Sequence, residues 1–368
     1  MATSDLLTLG LAPALTVEEA VQFGPLRIVP VSAFKEDALA EVAARFAKER
    51  GAHSECQAFI TCPSESRPLV QTIWSLFVFA CVSYARRRAP SHRGVAFPEN
   101  FYLLPVSSST HGLIYDSGHG LGVGGVEHLP LRWPVDSPTT LREGQWDRRI
   151  ELACTLLHRD GGGNAGNPLV IAAGMAADLA CAAMERRNQR VQNVATGART
   201  YVLLGSALEA LHCRGSDAKH NYDEVIEGVR RLDSASTSLG EAVFSERGLR
   251  RPPKPEAGTV VTRPMFAVAQ LLHLRNTYAH GRRPAESDHT LPAEMNGCHA
   301  MHAATLVLAA LIGDDLSQEL DCVVPEGTRE MLEVRERLGL SRELVHDALA
   351  DGRGLLNSLA EAIVPTDG

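Results

Sequence analysis

The sequence lacks the features that mark secreted and membrane-bound proteins. None of its eight cysteines forms a C-x-x-C pair, and most lie among apolar neighbours, which favours reduced, buried thiols in a cytoplasmic protein. The longest apolar run, residues 69–84, is interrupted by polar residues and is shorter than the roughly 20 residues of a membrane-spanning helix. The mean hydropathy of -0.07 excludes a membrane bundle. No basic residue precedes the apolar N-terminal stretch, so no secretory signal is expected.

The sequence also lacks the common motifs of metal and nucleotide chemistry. There is no G-x-S-x-G, H-E-x-x-H, P-loop or EF-hand pattern. The nearest approach to a metal cluster is His53, Cys56 and Cys62, whose spacing fits no zinc template. We therefore expect no metal and no cofactor.

A glycine-rich stretch at residues 119–125 contains a G-x-G-x-x-G match. A dinucleotide site needs a helix that begins on these glycines, so that its N-terminus meets the phosphates. Pro130 and Pro134 follow within nine residues and block such a helix. The stretch therefore predicts a flexible loop.

The hydrophobic pattern predicts an α+β protein. The length of 368 residues suggests two domains, and 45% hydrophobic and 22% charged residues are typical of a folded chain. Residues 1–160 predict a mixed α/β domain, with strands at 26–31, 97–106 and 112–116 and helices at 36–51 and 146–157. Residues 69–84 fit either a helix or a long strand, and their length and the arginines at 86–88 favour a helix. The breaker at residues 160–168 marks the boundary. An all-α bundle is expected over 166–313, with helices at 169–190, 195–213, 223 to about 244, 263–280 and 293–312. A helical extension is expected over 314–368.

Charge is distributed unevenly along the chain. The net charge is -8, yet residues 247–283 hold eight basic residues and one acidic residue, a local charge of +7. The rest of the chain is therefore at -15. This balance excludes a protein that coats nucleic acid over its whole surface, and it leaves one basic segment where a polyanion could bind.

The basic segment ends in a cluster of residues suited to phosphodiester chemistry. His273, Asn276 and His280 lie within about 60° of one another on an ideal helix, whereas Arg275 lies about 140° from His280. Arginine can hold a phosphate with two hydrogen bonds, and histidine can transfer a proton near neutral pH. The Arg-x4-His spacing alone has little weight, because it is expected about once by chance in this composition. Cations that complement a helix C-terminus are the competing interpretation.

The pattern R-N-x-x-x-H-G at residues 275–281, inside an all-helical segment, resembles the HEPN superfamily (higher-eukaryote and prokaryote nucleotide-binding). The upstream A-L-E-A-L at residues 207–211 is similar to a pattern on an earlier helix of these domains. The subgroup that the chain most resembles is the ApeA-like one, in which a less regular domain precedes the bundle.

The resemblance implies a metal-independent endoribonuclease of bacterial antiphage defence or a toxin. It implies that His280 acts as general acid/base or orients the attacking 2′-hydroxyl, that Arg275 stabilises the phosphorane, and that Asn276 holds the geometry. The products would carry 2′,3′-cyclic phosphate ends. RNA-backbone contacts are expected from three further residues: His273, Arg282 and Arg283. Tyr278 is a possible supporting residue, and Glu209 either anchors Arg275 or Arg282 or is a solvated helix position.

The resemblance also implies partners. RNA and a second copy of the chain are expected, since such domains usually dimerise so that two motifs share one cleft. A phage-derived or antitoxin protein is a possible further partner, and the acidic N-terminal domain is assigned a sensing or regulatory role from its charge. The alternative is a non-catalytic HEPN module that binds nucleotide, RNA or protein.

Overall fold

A computed structural model of the chain describes sixteen stretches. These are residues 6–34, 38–50, 57–88, 98–109, 112–115, 139–159, 165–185, 194–213, 221–230, 232, 238–239, 249, 261–292, 299–320, 344 and 346–347. The predicted glycine loop at 119–125, His53 and Cys56 lie outside the described residues. So do most of the basic segment before residue 261 and most of the extension 314–368 beyond residue 320.

The N-terminal part is built on a six-stranded antiparallel sheet. Its strands are β1 (Leu6–Ala12), β3 (Val21–Phe23), β4 (Leu26–Pro30), β5 (Ala58–Pro63), β6 (Leu104–Ser109) and β7 (Gly112–Tyr115), in the order β3-β4-β5-β1-β6-β7. A short parallel pair joins β2 (Leu15–Thr16) to β8 (Thr139–Thr140). At Gly10 a Cβ atom would lie 2.3 Å from the Leu104 carbonyl oxygen, so only glycine lets β1 approach β6 this closely.

The two faces of the sheet are covered by different helices. Alternate residues of a strand point to opposite faces. Leu11 and Phe59 pack with Phe46 of α1 (Ala38–Arg50), whereas Ala12 and Ile60 belong to the main core. The sheet therefore forms a layer between α1 and the helical part of the molecule.

Seven further helices in the described part of the chain form the rest of the core. They are α2 (Val70–Arg88), α3 (Arg148–Arg159), α4 (Pro168–Met184), α5 (Val194–His212), α6 (Asn221–Arg230), α7 (Arg263–Ala279) and α8 (Ala300–Glu319). Helix α4 packs against α2 and α5, α5 and α6 pack against α7, and α8 contacts α3, α4 and α7. Asn167 caps α4 by accepting a hydrogen bond from the Leu169 N–H at 2.8 Å.

The α+β class is confirmed, and several element boundaries differ from the prediction. The helix expected from 223 to about 244 ends at Arg230, because β9 (Ser238–Leu239) pairs with β10 (Val261–Thr262). The strand expected at 97–106 begins at Leu104, after a 3-10 turn over Pro98–Phe101. The helix expected at 293–312 is α8, whose N-cap is His299.

One hydrophobic core crosses the predicted domain boundary near residue 160. It contains Ile60 of the sheet, Phe77 of α2 and Leu308 of α8. Helices α2 and α4 pack so closely that a Cβ at Gly174 would lie 2.8 Å from the Thr72 side chain. The segments 1–160 and 166–313 remain the predicted domains by sequence, but within the described residues they share this core.

Among the residues that the structure describes, two helical segments have the length and hydropathy of a membrane span. They are Ser64–Arg87, with a mean hydropathy of 1.5, and Ala300–Glu319, with 1.3. In the fold 56% and 78% of these windows are buried against other elements. Such burial is typical of the core helices of a soluble protein, because a spanning helix would offer its apolar surface to lipid.

Candidate functional site

The predicted motif lies at the end of α7, where backbone hydrogen bonds fix the last turn. The N–H groups of His280, Gly281 and Arg282 donate to the carbonyl oxygens of Asn276, Tyr278 and Thr277 at 3.0, 2.9 and 3.0 Å. Gly281 has a φ of +69°, the left-handed conformation that closes a helix in this pattern. His280 is thereby held as the C-cap residue of α7.

One side of α7 is exposed and carries the predicted polar stripe. His280 and Asn276 are exposed and His273 is half-buried, while Leu271 and Leu274 on the opposite side belong to the core. Within the described part of the chain, the His280 imidazole has no hydrogen bond or ion pair. The ring is thus accessible to a ligand or a second chain.

Arg275 is held in place by two side chains. Its guanidinium donates to Glu209 Oε2 of α5 at 3.0 Å and to Asn276 Oδ1 at 3.0 Å. Its aliphatic stem lies over Gly205, where a Cβ would come within 3.0 Å of the Arg275 Cγ. The predicted anchoring of Arg275 by Glu209 is therefore present.

The direction of α5 shows which way the Arg275 side chain extends. On one face of α5, Tyr201 meets Tyr278, Gly205 meets the stem of Arg275, and Glu209 meets its guanidinium. The two helices are thus antiparallel, and the guanidinium extends towards the beginning of α7, whereas His280 follows the last turn of the same helix. The structure brings Arg275, Asn276 and Glu209 together, and within the described residues the His280 ring makes no hydrogen bond to them.

Tyr278 belongs to a second cluster beside the motif. Its ring stacks on Tyr201 with centroids 5.8 Å apart, and its hydroxyl lies 3.4 Å from His289 Nε2. The Tyr201 hydroxyl lies 2.8 Å from His289 Nδ1. Burial raises the pKa of Tyr201 and of Tyr278, and Arg283 opposes the effect at Tyr278. Burial lowers the pKa of His289 despite nearby Asp288 and Glu286, which favours a neutral imidazole.

Gln270 fastens the loop that carries His289. Its Nε2 donates to the Asp288 and Thr290 carbonyl oxygens at 2.5 and 2.9 Å. Sequence reasoning missed Gln270, Tyr201 and His289. Tyr201 and His289 are 88 residues apart and belong to no common motif, so no local signal could have joined them.

The described residues offer no metal centre. No group of three or more histidine, cysteine, aspartate or glutamate side chains is placed to hold an ion among them. Cys62, proposed in sequence as the third member of a weak cluster, is buried, and burial raises the pKa of its thiol to about 11. Such a thiol is a poor ligand because metals bind the thiolate. Among the five cysteines of the described part none is in a disulfide, and four of them are buried.

Comparison with known proteins identified no relative of this chain. No protein-family model, curated protein or solved structure matches this chain. The motif and the geometry around α7 are therefore the features that bear on function.

Proposed function

We propose that the chain is a cytoplasmic, metal-independent endoribonuclease of the HEPN type, acting in bacterial antiphage defence or as a toxin. One observation carries the proposal. The R-N-x-x-x-H-G motif lies at an exposed helix end, with its arginine oriented by Glu209 and Asn276 and its histidine open to solvent. A His280 ring buried and hydrogen-bonded inside one chain would instead have favoured the non-catalytic module.

The chemistry needs only these side chains and the RNA. His280 accepts the proton of a 2′-hydroxyl, whose oxygen attacks the adjacent phosphorus. The bond to the 5′-oxygen breaks, and that oxygen takes up the proton that His280 accepted, leaving a 2′,3′-cyclic phosphate and a 5′-hydroxyl. Arg275 stabilises the negative charge of the phosphorane, with Asn276 keeping the guanidinium in place. His273, Arg282 and Arg283 contact the RNA backbone from the same helix end.

A homodimer would bring the side chains of Arg275 and His280 together across its interface. Because Arg275 extends away from His280, a cleft shared by two copies can place the Arg275 of one chain opposite the His280 of the other. The exposed stripe of α7 is the surface available for this pairing. A twofold axis would then create two equal composite sites.

The alternative is a module that binds RNA, nucleotide or protein without cleaving. The Glu209–Arg275 pair favours it, because the cation already has a counter-charge within the chain. The exposure of His280 favours the nuclease.

Expression in a bacterial host, with total RNA run on a gel, tests the proposal. We expect the wild type to arrest growth under infection and to fragment RNA, and His280→Ala and Arg275→Ala each to do neither. His346→Ala, an exposed histidine outside the site, should behave as wild type. Arrest and fragmentation that persist in His280→Ala would overturn the nuclease mechanism.

Mixing the two inactive chains tests the shared cleft. In a random mixture half of the dimers hold both variants, and each of these has one intact composite site, so about a quarter of wild-type activity should return. No recovery in purified, re-equilibrated mixtures would contradict a cleft shared between chains.

A further inference from the structure

Four rings form a continuous series from the interior of the molecule to its surface. Tyr201 is buried, Tyr278 and His289 are half-buried, and His299 is exposed. We refer to these four residues as the ring ladder. Its second ring, Tyr278, lies two residues before His280, and its outermost ring, His299, is the N-cap residue of α8.

The rings of the ladder are in mutual contact. The centroids of Tyr201 and Tyr278 are 5.8 Å apart at 13°, and those of Tyr278 and His289 are 6.1 Å apart at 50°. His289 and His299 lie 6.3 Å apart at 27°, so their planes are close to parallel. Each of the three outer rings therefore packs against a ring that lies closer to the core.

The outer end of the ladder is held in place before any ligand arrives. His299 Nδ1 accepts a hydrogen bond from the Met301 N–H at 3.3 Å, and Thr290 pairs with His299 through an isolated β-bridge. Gln270 fixes the same loop from α7. A ring held in this way loses little conformational entropy when something stacks on it.

The charge around the ladder favours a neutral ring over a phosphate. Residues 282–289 contain Arg282, Arg283, Glu286 and Asp288, and these charges sum to zero. Glu286 and Asp288 act on the pKa of His289 and Arg283 acts on that of Tyr278, so the ladder offers no net positive charge to attract a phosphate. A nucleobase carries no charge and stacks well on histidine and tyrosine rings.

We propose that the exposed end of the ring ladder, at His299, is a stacking subsite for one nucleobase of single-stranded RNA that flanks the scissile bond. The inference rests on the proposed function, because it takes RNA as the substrate of the adjacent motif. It adds a preference for unpaired RNA, since a base within a duplex offers no free face.

Binding of short single-stranded RNA to the full-length His280→Ala chain tests the subsite. Fluorescence anisotropy would compare an intact oligonucleotide with versions in which each base in turn is replaced by an abasic ribose. We expect loss of one particular base to weaken binding roughly tenfold, within the range for base–aromatic stacking. Adding His299→Asn should weaken the binding of intact RNA by a similar factor. In that variant, removal of the same base should cause no further loss of affinity.

The choice of asparagine keeps the fold intact. Asparagine retains a side-chain acceptor for the N-cap of α8 but removes the ring. His346→Asn removes an exposed imidazole elsewhere and should leave every affinity unchanged. Equal thermal unfolding of the three chains would confirm that only the ring matters.

Failure of the subsite can be told apart from failure of the nuclease. If removal of the base and His299→Asn each weaken RNA binding and their effects are additive, the base does not stack on His299. That result would overturn the subsite and leave the proposed function standing. A chain that binds no single-stranded RNA would overturn both. A coupled effect on binding, in a protein whose wild type never cleaves RNA, would support the subsite and reject the nuclease.

Discussion

The contact between Arg275 and Glu209 is a partly exposed ion pair, with 29% and 21% of the two side chains accessible. Pairs of this kind contribute little to folding, because water screens them and both side chains lose freedom. Their effect on a bound polyanion is larger, since the carboxylate offsets the charge that a phosphate would meet. Glu209 is thus expected to modulate the affinity of the site more than the stability of the fold.

We predict that Glu209→Gln tightens the binding of single-stranded RNA about fivefold at low salt. Glutamine keeps an oxygen acceptor for the guanidinium but removes the negative charge beside it. Anisotropy titrations in the His280→Ala background would measure the change, which should shrink as salt is raised. The free energy of unfolding should change by less than about 1 kcal/mol.

Glu227→Gln provides the matched control. Glu227 pairs with Arg230 at 2.9 Å on α6, three residues along the same helix. Its substitution should leave RNA affinity within about twofold of the parent, since the charge removed lies outside the site. An equal gain from both variants would mean that net charge, and not the contact with Arg275, sets the affinity.

His289 should make stability depend on pH. Its pKa is lowered in the fold, so below its ordinary value of 6.5 the unfolded chain takes up a proton before the folded chain does. Stability is then lost as pH falls through this window. Denaturant unfolding at pH 7.5 and 5.5 should show a smaller loss for His289→Gln, which bonds but does not titrate. Between pH 7.5 and 8.5 the two chains should change in parallel, and identical losses at low pH would contradict the assignment.

The end of α7 depends on one glycine. Gly281 lies in left-handed backbone with no atom within 4 Å of a built Cβ, so the cost of a side chain there is purely conformational. We predict that Gly281→Ala lowers the free energy of unfolding by about 1 kcal/mol. It should also reduce RNA cleavage, because His280 is placed by that turn.

Gly166→Ala is the matched control, because it makes the same substitution at a position where the backbone is not left-handed. Gly166 also has open space around it, and its φ lies outside the left-handed region. The variant should unfold at the wild-type denaturant concentration and keep its activity. Equal losses in Gly281→Ala and Gly166→Ala would remove the turn from the explanation.

Long periodic segments were the part of the fold that the sequence predicted well. The helices at 36–51, 195–213 and 263–280 appear as α1, α5 and α7, with ends that shift by a few residues. The helix predicted past residue 230 was wrong because Ser238 and Leu239 find a strand partner 23 residues later. Pairing at that distance leaves no periodic trace.

The candidate site, like the fold, was predicted from the sequence only in part. Asn276 beside Arg275, and the exposed stripe of α7, follow from helical spacing alone. The choice between an anchor for Arg275 and a solvated Glu209 required the position of α5. Of the ring ladder only Tyr278 was named from the sequence, as a supporting residue, since the members come from three separate parts of the chain.

At the scale of the whole molecule, the shared core links the sheet to the bundle. Arg149 of α3 donates to the Ala309 carbonyl of α8 at 3.3 Å, and α2 packs on α4. We predict that a chain lacking residues 1–160 exposes the faces of α4 and α8 that α2 and α3 cover. It should bind a hydrophobic dye and unfold without a sharp thermal transition, both compared with the full chain. A cooperative transition in this fragment would show that the bundle is an independent domain.

The Arg149–Ala309 contact also has a consequence for synthesis. The 160 residues between these partners take about 8 to 32 seconds to translate at 5–20 residues per second. During that time the sheet and α2 have been synthesised, but α8, the helix that completes their packing, has not. The core that the sheet shares with the bundle can therefore close only after Ala309 has been translated.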